Sequence, residues 1–246
     1  MSKQRLCLIS DRLTAARRQG ARIVLEDSDA PADYEEGFAI QDMVVTALAS
    51  PVIGWKVMPV PQGPVIFAPL LQSGRVPAGG TWEVVGREPA GIELEIAFRL
   101  GRDVAAGGTL EQVLDAVDGA HVVFELCQSR IANPGKQPRH VMLADCIANA
   151  GLAVGSEIHA WRNTNLKQRA GRLLVDGKLL VEGKSVDPIG ALQLLPPAMA
   201  ARGKSLAAGQ IVITGSLIGM NWLTGRHDLS GTIDGLGEVA IRLAAA

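Results

Sequence analysis

With 246 residues, the chain is long enough to bury a sizeable core in one large domain or two small ones. A hydrophobic fraction of 48% and a charged fraction of 20% are ordinary for a folded globular protein and exclude extensive disorder. The formal net charge of -1, with scattered basic residues, argues against a nucleic-acid partner. No uninterrupted apolar stretch approaches the roughly 18 to 20 residues of a membrane span, so no membrane partner is expected.

The chain begins with a predicted amphipathic helix. Leu6, Ile9 and Leu13 recur at helical spacing. Asp11 interrupts any apolar run of the signal-peptide kind, so a targeting segment is not expected. After a polar break, a second helix is predicted from about residue 31 to residue 49. Residues 1–50 are therefore expected to form a helical segment that packs on the rest of the chain.

From residue 51 onward the sequence predicts a β-rich body. Short apolar runs alternate with Pro and Gly, first VIGWKVM, then PVIFAPLL, then TWEVVG. Because no repeat or linker interrupts this texture, residues 51–246 are expected to form one body, and the whole chain one structural domain.

Local signals place further elements within this body. Thr109 and Gln112 have the spacing of a capping box at the start of a short helix. A longer helix is predicted from His140 to Ala150. Asp176-Gly177 between alternating residues predicts a hairpin, and Asp187-Pro188 predicts the start of a helix that runs toward a pair of prolines.

The segment GIELEIAFRLGRD carries two carboxylates on one face of a predicted strand. Side chains of a strand alternate between its faces, so Glu93 and Glu95 point one way and the apolar residues between and around them point the other. The Cβ atoms of the two glutamates would lie about 7 Å apart, a separation that suits two ligands of one hard cation. The alternative, a solvated face of an edge strand, remains open for such a pair alone.

A third carboxylate, Glu125, lies in the alternating strand AHVVFELC. Its neighbours on the same face, Val123 and Cys127, are apolar, so an unpaired charge there would be costly. Three carboxylates with no nearby histidine or cysteine cluster would select an oxygen-preferring ion, Mg²⁺ or Mn²⁺. The four histidines are dispersed, so a zinc site is not expected.

Two other positions have a candidate role. Lys56 lies between apolar residues of a predicted strand, where it either extends its amine to water or faces the acids and handles a substrate carboxylate or a proton. Thr214-Gly215-Ser216 follows an apolar run, where it forms a turn or offers hydroxyl and backbone N–H groups. No nucleophile elbow or Gly-rich phosphate loop follows a strand, which argues against a hydrolase triad or a nucleotide enzyme.

The cysteines bear on the compartment. Cys7, Cys127 and Cys146 are an odd number in a chain too large to require disulfides, and each has apolar neighbours. We expect three reduced thiols in a cytoplasmic protein.

Several motifs in order resemble one enzyme family. In chain order, these motifs are E-x-E followed by I-A-F-x-L-G-R-D, then F-E-x-x-x-S-R-I, then A-D, then the block DPIGALQLLPPAMAARGKSLAAGQIVITGS and a closing GLGEVAIRL. They are similar to the motifs of the 2-keto-4-pentenoate hydratase and 4-oxalocrotonate decarboxylase branch of the fumarylacetoacetate hydrolase superfamily. The similarity runs over nearly the whole chain.

The resemblance implies an α+β fold, a mixed β-sandwich or roll with a helical N-terminal part. It also implies a divalent metal, Mg²⁺ or Mn²⁺, and a 2-oxo acid substrate that chelates it. The residues that match the family's motifs are Glu93, Glu95 and Glu125 as metal ligands, Lys56 and Asp145 as catalytic residues, Ser216 near the substrate carboxylate, and Arg130, which either orients the glutamate strand or contacts substrate.

The sequence departs from the family at several polar positions. Val57-Met58-Pro59-Val60 follows Lys56 where the family reads close to G-L-T-S. Cys146-Ile147-Ala148-Asn149 replaces N-A-S-S after Asp145, and Gln128 stands where an acidic or small residue is usual. The metal ligands are retained, whereas much of the polar surrounding that would position water and substrate is changed.

The expected function is a metal-dependent hydratase, a lyase that adds water to a 2-hydroxy-dienoic or 2-oxo-alkenoic acid such as 2-oxopent-4-enoate. The alternatives are a decarboxylase of a 2-oxo dicarboxylic acid of the 4-oxalocrotonate type and a non-catalytic metal-binding homologue that serves as a partner subunit. The resemblance also implies a homo-oligomer, with a complex with a related pathway enzyme as a further option.

Overall fold

Helices form the N-terminal part of the chain and flank the sheets. The computed structural model describes residues 3–26, 28–86, 89–184 and 187–245, so the outermost residues of the expected ranges 1–50 and 51–246 lie outside the described residues. The α-helices are α1 (Lys3–Gln19), α2 (Tyr34–Leu48), α3 (Leu110–Ala116), α4 (Arg139–Ala144) and α5 (Pro188–Ala200). None of the helices in the described part of the chain is long and apolar enough to cross a membrane.

Apart from short 3-10 helices, the remaining regular structure of the described residues is β. The strands are β1 (Val52–Pro59), β2 (Val65–Leu71), β3 (Arg75–Val76), β4 (Thr81–Glu83), β5 (Ala90–Leu100), β6 (Val117–Cys127), β7 (Asn149–Glu157), β8 (Ala170–Val175), β9 (Lys178–Lys184), β10 (Ile211–Ser216), β11 (Asn221–Leu223), β12 (Arg226–Ile233) and β13 (Gly237–Ala244). One sheet has the order β2-β1-β10-β5-β6-β7-β3 with β11 also paired to β5, and the other has the order β4-β13-β12-β8-β9. The expected α+β class, a mixed β-roll with an N-terminal helical part, is confirmed.

The apolar face of β5 forms part of the main core. Its alternating residues are at most 1% exposed and pack with residues of the second sheet; they are Ile92, Leu94, Ile96, Phe98 and Leu100. The opposite face is also buried, because Ala97 packs with Val123 and Ile213 in a separate small cluster. Strands β2 and β7 contact each other although they lie far apart in the order of the sheet, so the large sheet curls around this second cluster.

The helical segment packs on the body through its own apolar cluster. Ile9 and Leu13 of α1 meet Ile40 and Val44 of α2 and the buried face of α4. The start of α2 is capped by Asp33, whose carboxylate accepts a hydrogen bond from the Glu36 N–H at 2.9 Å. The observed helix therefore begins a few residues later than the sequence predicts.

Two predicted helices have different ends. The helix expected over His140 to Ala150 ends at Ala144, because Cys146, Ile147 and Ala148 have φ values of 51°, 52° and 60°, in the left-handed region. Strand β7 then begins at Asn149. Helix α5, capped by Asp187 as predicted, continues through its two internal prolines to Ala200, with Leu195 and Met199 anchored in the core.

Candidate metal centre

The antiparallel register of β5 and β6 brings the carboxylates together. Glu93 lies directly opposite Glu125. Glu95 lies opposite Val123, so Glu95 is a diagonal neighbour of Glu125. Facing residues of an antiparallel pair have Cβ atoms about 4.5 to 5.5 Å apart. The alternation predicted for both strands therefore places all three acids on the inner face of the curled sheet.

Glu125 is fully buried and partly paired. Its Oε1 accepts hydrogen bonds from Lys56 Nζ at 2.6 Å and from Asn149 Nδ2 at 2.8 Å. Its Oε2 is buried and has no hydrogen-bond partner among the described residues. A buried carboxylate oxygen without a partner is expensive, so this atom is suited to a ligand that the protein itself does not supply.

Lys56 reaches the acids from a strand that is not adjacent to theirs. Strand β10 lies between β1 and β5, and Lys56 lies beside Ile213 in that arrangement. The amine is buried and also donates to the Ile147 carbonyl at 3.4 Å, which the left-handed turn presents. The sequence left open whether this lysine faces water or the acids; it faces the acids.

Glu95 is held by strand β10. Its Oε2 accepts the Gly215 N–H at 2.7 Å, at a point where the β10–β5 register shifts between Ile213 and Ser216. Gly215 has a φ of 114°, which side chains rarely adopt, so glycine suits this kink. The neighbouring Thr214 hydroxyl donates to the Ile96 carbonyl at 3.0 Å.

Electrostatics at the centre favour an added cation. Burial, with repulsion from Glu125, raises the pKa of Glu93 to about 7 even though Lys56 opposes the shift. Burial followed by repulsion from Glu125 and Glu93 also raises the pKa of Glu95 well above its usual range. Burial is the largest single influence on Lys56 and would lower its pKa, but the combined attraction of Glu125 and the other neighbouring acidic groups outweighs it, so the pKa of the amine is raised. One ammonium group faces three carboxylates.

The donor atoms fit a divalent cation. One donor atom each of Glu93, Glu125 and Cys127 lie within 4.8 Å of one another, and Glu125 is also the residue with the unpartnered oxygen. Carboxylate oxygens are the ligands that Mg²⁺ and Mn²⁺ prefer. The geometry is therefore compatible with a metal held by Glu93 and Glu125, with Glu95 beside them.

A cavity of about 480 Å³ opens onto the acids. Lys56, Glu93, Glu95 and the segment Thr214–Ser216 line one side of it. The other lining residues are Val57, Met58 and Pro59 of β1, Asp187 at the start of α5, and Gly190, Ala191 and Leu194 of α5. A larger cavity of about 660 Å³ shares Asp187 and Gly190 with it but is lined by none of the three glutamates.

Arg130 and Asp145 lie behind the centre as an ion pair. Arg130 Nε is 2.5 Å from Asp145 Oδ1, and the backbone N–H of Arg130 donates to Oδ2 at 2.8 Å. The guanidinium also donates to the carbonyls of Gln128, Asp145 and Asn149. Burial raises the pKa of Asp145 although Arg130 opposes the shift. Neither side chain lines the cavity of the acids, so their geometry matches a role in holding the residues 128–149 in place.

Ser216 lies at the edge of the cavity. Its hydroxyl donates to the Gly219 carbonyl at 3.2 Å and accepts the Ile218 N–H at 3.3 Å, so it already has local partners. Sequence reasoning missed Asn149 as a partner of Glu125 and the α5 residues as a cavity wall. In the sequence, Asn149 stands out only as a departure from the family motif. The α5 residues show a pattern that predicts a helix but nothing that indicates a cavity wall.

Together, the curled sheet and the inward carboxylates define a β-roll protein with a buried acidic centre suited to a divalent cation. The family model described as Fumarylacetoacetate (FAA) hydrolase C-terminal matches residues 55–244, and the chain belongs to this family.

Two relatives found by sequence similarity agree with this assignment. The chain is 31% identical over 153 residues to the 2-keto-4-pentenoate hydratase of Burkholderia vietnamiensis (strain G4 / LMG 22486), an alignment that covers 60% of this chain and 58% of the relative. The chain thus spans less than two thirds of that relative's length. A 2-keto-4-pentenoate hydratase of Paraburkholderia phymatum matches to the same extent. The branch indicated by the motifs is confirmed.

Solved structures share the fold. The 4-oxalocrotonate decarboxylase from Pseudomonas putida G7, complexed with magnesium and adipate, matches with a TM-score of 0.87 at 19% identity, over 99% of this chain and 98% of that one. The fumarylpyruvate hydrolase from Pseudomonas aeruginosa, in complex with Mn²⁺ and pyruvate, matches with a TM-score of 0.56 at 20% identity, over 80% of this chain and 91% of that one.

Proposed function

We propose that the protein is a divalent-metal-dependent hydratase that adds water to a 2-hydroxy-dienoic or 2-oxo-alkenoic acid. The observation that carries the proposal is the cavity in which Lys56, Glu93 and Glu95 meet, with the unpartnered oxygen of Glu125 behind them. Glu93, Glu95 and Glu125 would hold Mg²⁺ or Mn²⁺. When bound, such an ion supplies Lewis acidity toward the carboxylate and 2-oxo oxygens of the substrate.

Lys56 is the proposed proton donor of the site. Its amine lines the cavity, and the adjoining acids raise its pKa, so it is charged at neutral pH. A charged amine attracts the anionic substrate and carries the proton that Nζ would deliver, and a cation held by the acids would offset their attraction and ease the release of that proton. The contact with the Ile147 carbonyl and the bond to Glu125 fix where that proton is held.

The remaining site residues bind or position. Ser216 and the Gly215 segment border the cavity at the end of β10, where we place the substrate carboxylate. Arg130 and Asp145 act together on the turn that carries the Ile147 carbonyl, since their ion pair ties the segment after the end of β6 to the segment before β7. We therefore assign proton transfer to Lys56 rather than to Asp145.

The cavity wall favours a monocarboxylic substrate over a dicarboxylic one. Val57, Met58, Pro59 and Leu194 give it an apolar side, and Asp187 adds a negative charge. Among the described residues that line this cavity, Lys56 is the one basic side chain. Lys167 lines the neighbouring cavity and is already paired with Asp187 at 2.6 Å. A second carboxylate on the substrate would meet little that is complementary, which ranks the decarboxylase below the hydratase.

The proposal extends to the setting of the protein. Cys7, Cys127 and Cys146 are free thiols, which supports the cytoplasm as its location. A small 2-oxo acid is the proposed partner, and a homo-oligomer is the proposed assembly.

The test is a panel of 2-hydroxy-dienoic and 2-oxo-alkenoic acids, followed by absorbance in the presence of Mg²⁺ or Mn²⁺. We expect metal-dependent loss of the conjugated chromophore. Lys56→Met should lower kcat by at least about 100-fold, the usual contribution of a positioned acid or base. Lys204→Met removes another ion-paired lysine, the partner of Asp42 at 3.1 Å, outside the cavity and should leave kcat unchanged. Flat absorbance with every acid, while metal still binds, would favour a non-catalytic partner subunit.

A further inference from the structure

A buried thiol lies beside the carboxylates that would bind metal. Cys127 follows Glu125 by two positions on β6, so both side chains point to the same face, and the cysteine is 0% exposed. Its Sγ lies 3.9 Å from Glu93 Oε2. Together with an oxygen of Glu125, these donor atoms form the compact group within 4.8 Å described above.

The backbone opposite Cys127 leaves room for sulfur. Gly91 is its cross-strand partner, and a Cβ added at that glycine would come within 3.0 Å of the Cys127 Cβ and 2.5 Å of the Met220 sulfur. Met142 and Met220 pack against the thiol as well. The glycine therefore leaves room for the Cys127 side chain in a sulfur-rich surrounding, two positions from the Glu93–Glu125 pair.

The donor set differs from that of a purely oxygen-coordinated site. Glu95 is engaged by the Gly215 N–H, whereas Glu93, Glu125 and the Cys127 thiol bring one donor atom each within 4.8 Å of one another. Mg²⁺ avoids sulfur, but Co²⁺ and Zn²⁺ readily accept one thiolate with carboxylates. Among the described residues, the compact donor group thus consists of two carboxylates and a thiol, and Glu95 lies outside it.

We propose that Cys127 is a ligand of the metal centre, and that Glu93, Glu125 and Cys127 together bind a borderline divalent cation such as Co²⁺ or Zn²⁺. The inference rests on the proposed function only in taking the acids as a metal site. On binding, the thiol releases its proton to solvent and coordinates as thiolate.

The test uses Co²⁺ as a spectroscopic probe of the whole 246-residue chain. In a Cys7→Ser background, which removes the exposed thiol, one equivalent of Co²⁺ should produce the near-ultraviolet charge-transfer absorption of a sulfur–cobalt bond. Cys127→Ser should abolish this absorption and weaken Co²⁺ binding by at least about tenfold, while Mg²⁺ binding changes by less than about threefold. Because only Co²⁺ binding should weaken in Cys127→Ser, the comparison with Mg²⁺ distinguishes a lost thiol ligand from general damage to the metal site.

The matched control is Cys146→Ser, which removes a thiol that is equally buried but outside the group of donors. It should retain both the absorption and the Co²⁺ affinity. Cobalt bound without the charge-transfer absorption, or with an absorption that survives both Cys127→Ser and Cys127→Ala, overturns the thiol ligand and leaves the carboxylate site standing. Because the first of these results is read on the intact thiol, it does not depend on the folding of a variant. Binding of neither Co²⁺ nor Mg²⁺ overturns the metal centre itself.

Discussion

Replacing Lys56 by methionine should strongly destabilise the metal-free protein. Lys56→Met keeps most of the apolar length of the side chain but removes the ammonium that pairs with Glu125 at 2.6 Å. The side chains are 5% and 0% exposed, so solvent cannot replace the lost partner. Breaking a buried pair on one side costs about 3 to 5 kcal/mol. The remaining hydrogen bond from Asn149 offsets part of this cost, because it still satisfies one oxygen.

For a chain of this size, each kcal/mol corresponds to a melting-temperature shift of about 2 to 4 °C, so the variant should melt roughly 6 to 20 °C lower. Thermal and urea unfolding of the metal-free protein, followed by circular dichroism, measure the loss. The double variant Lys56→Met with Glu125→Gln removes both charges and should recover much of the stability. A loss below about 1 kcal/mol in Lys56→Met is typical of an exposed ion pair, and it would refute the view that Glu125 depends on Lys56 as its buried cationic partner.

The other predictions concern the metal, one helix end and pH. Mg²⁺ with oxalate at about 100 times its dissociation constant should stabilise the protein by about 2.7 kcal/mol, and Glu95→Ala should reduce this thermal shift; an undiminished shift would contradict a role of Glu95 as a ligand. Ala49→Gly should raise the free energy of unfolding by about 0.5 to 1 kcal/mol, because the exposed Ala49 ends α2 with a φ of 51°; a decrease in urea unfolding would contradict this reasoning. Asp176 raises the pKa of His227 through a 2.7 Å hydrogen bond, so the stabilising contribution of this pair is fully present below the ordinary histidine pKa of about 6.5 and is lost as pH rises through the raised value. His227→Gln should therefore lower the free energy of unfolding more at pH 5.5 than at pH 9, by about the contribution of the charged pair. An equal loss at both pH values would refute this role of the pair.

Much of the local structure follows from short-range patterns. The capping box of Thr109 and Gln112 is formed as predicted, because its two hydrogen bonds depend on neighbouring residues alone. The hairpin at Asp176-Gly177 likewise joins β8 to β9. The pattern failed after Ala144, where an apolar, helix-compatible run adopts a left-handed turn that costs about 1 to 2 kcal/mol per residue. Tertiary contacts outweigh that cost, since the buried ion pair of Arg130 and Asp145 holds the turn in place.

By itself, the sequence determined which face each carboxylate occupies. The strand period of two places Glu93 and Glu95 together, and it places Glu125 and Cys127 together, whatever the rest of the chain does. The tertiary structure alone decided that Glu93 faces Glu125, because the register of β5 against β6 is set by the packing of their apolar sides in the core. It also decided that Lys56, on a strand beyond β10, pairs with Glu125, since only the curl of the sheet brings these distant positions to one point.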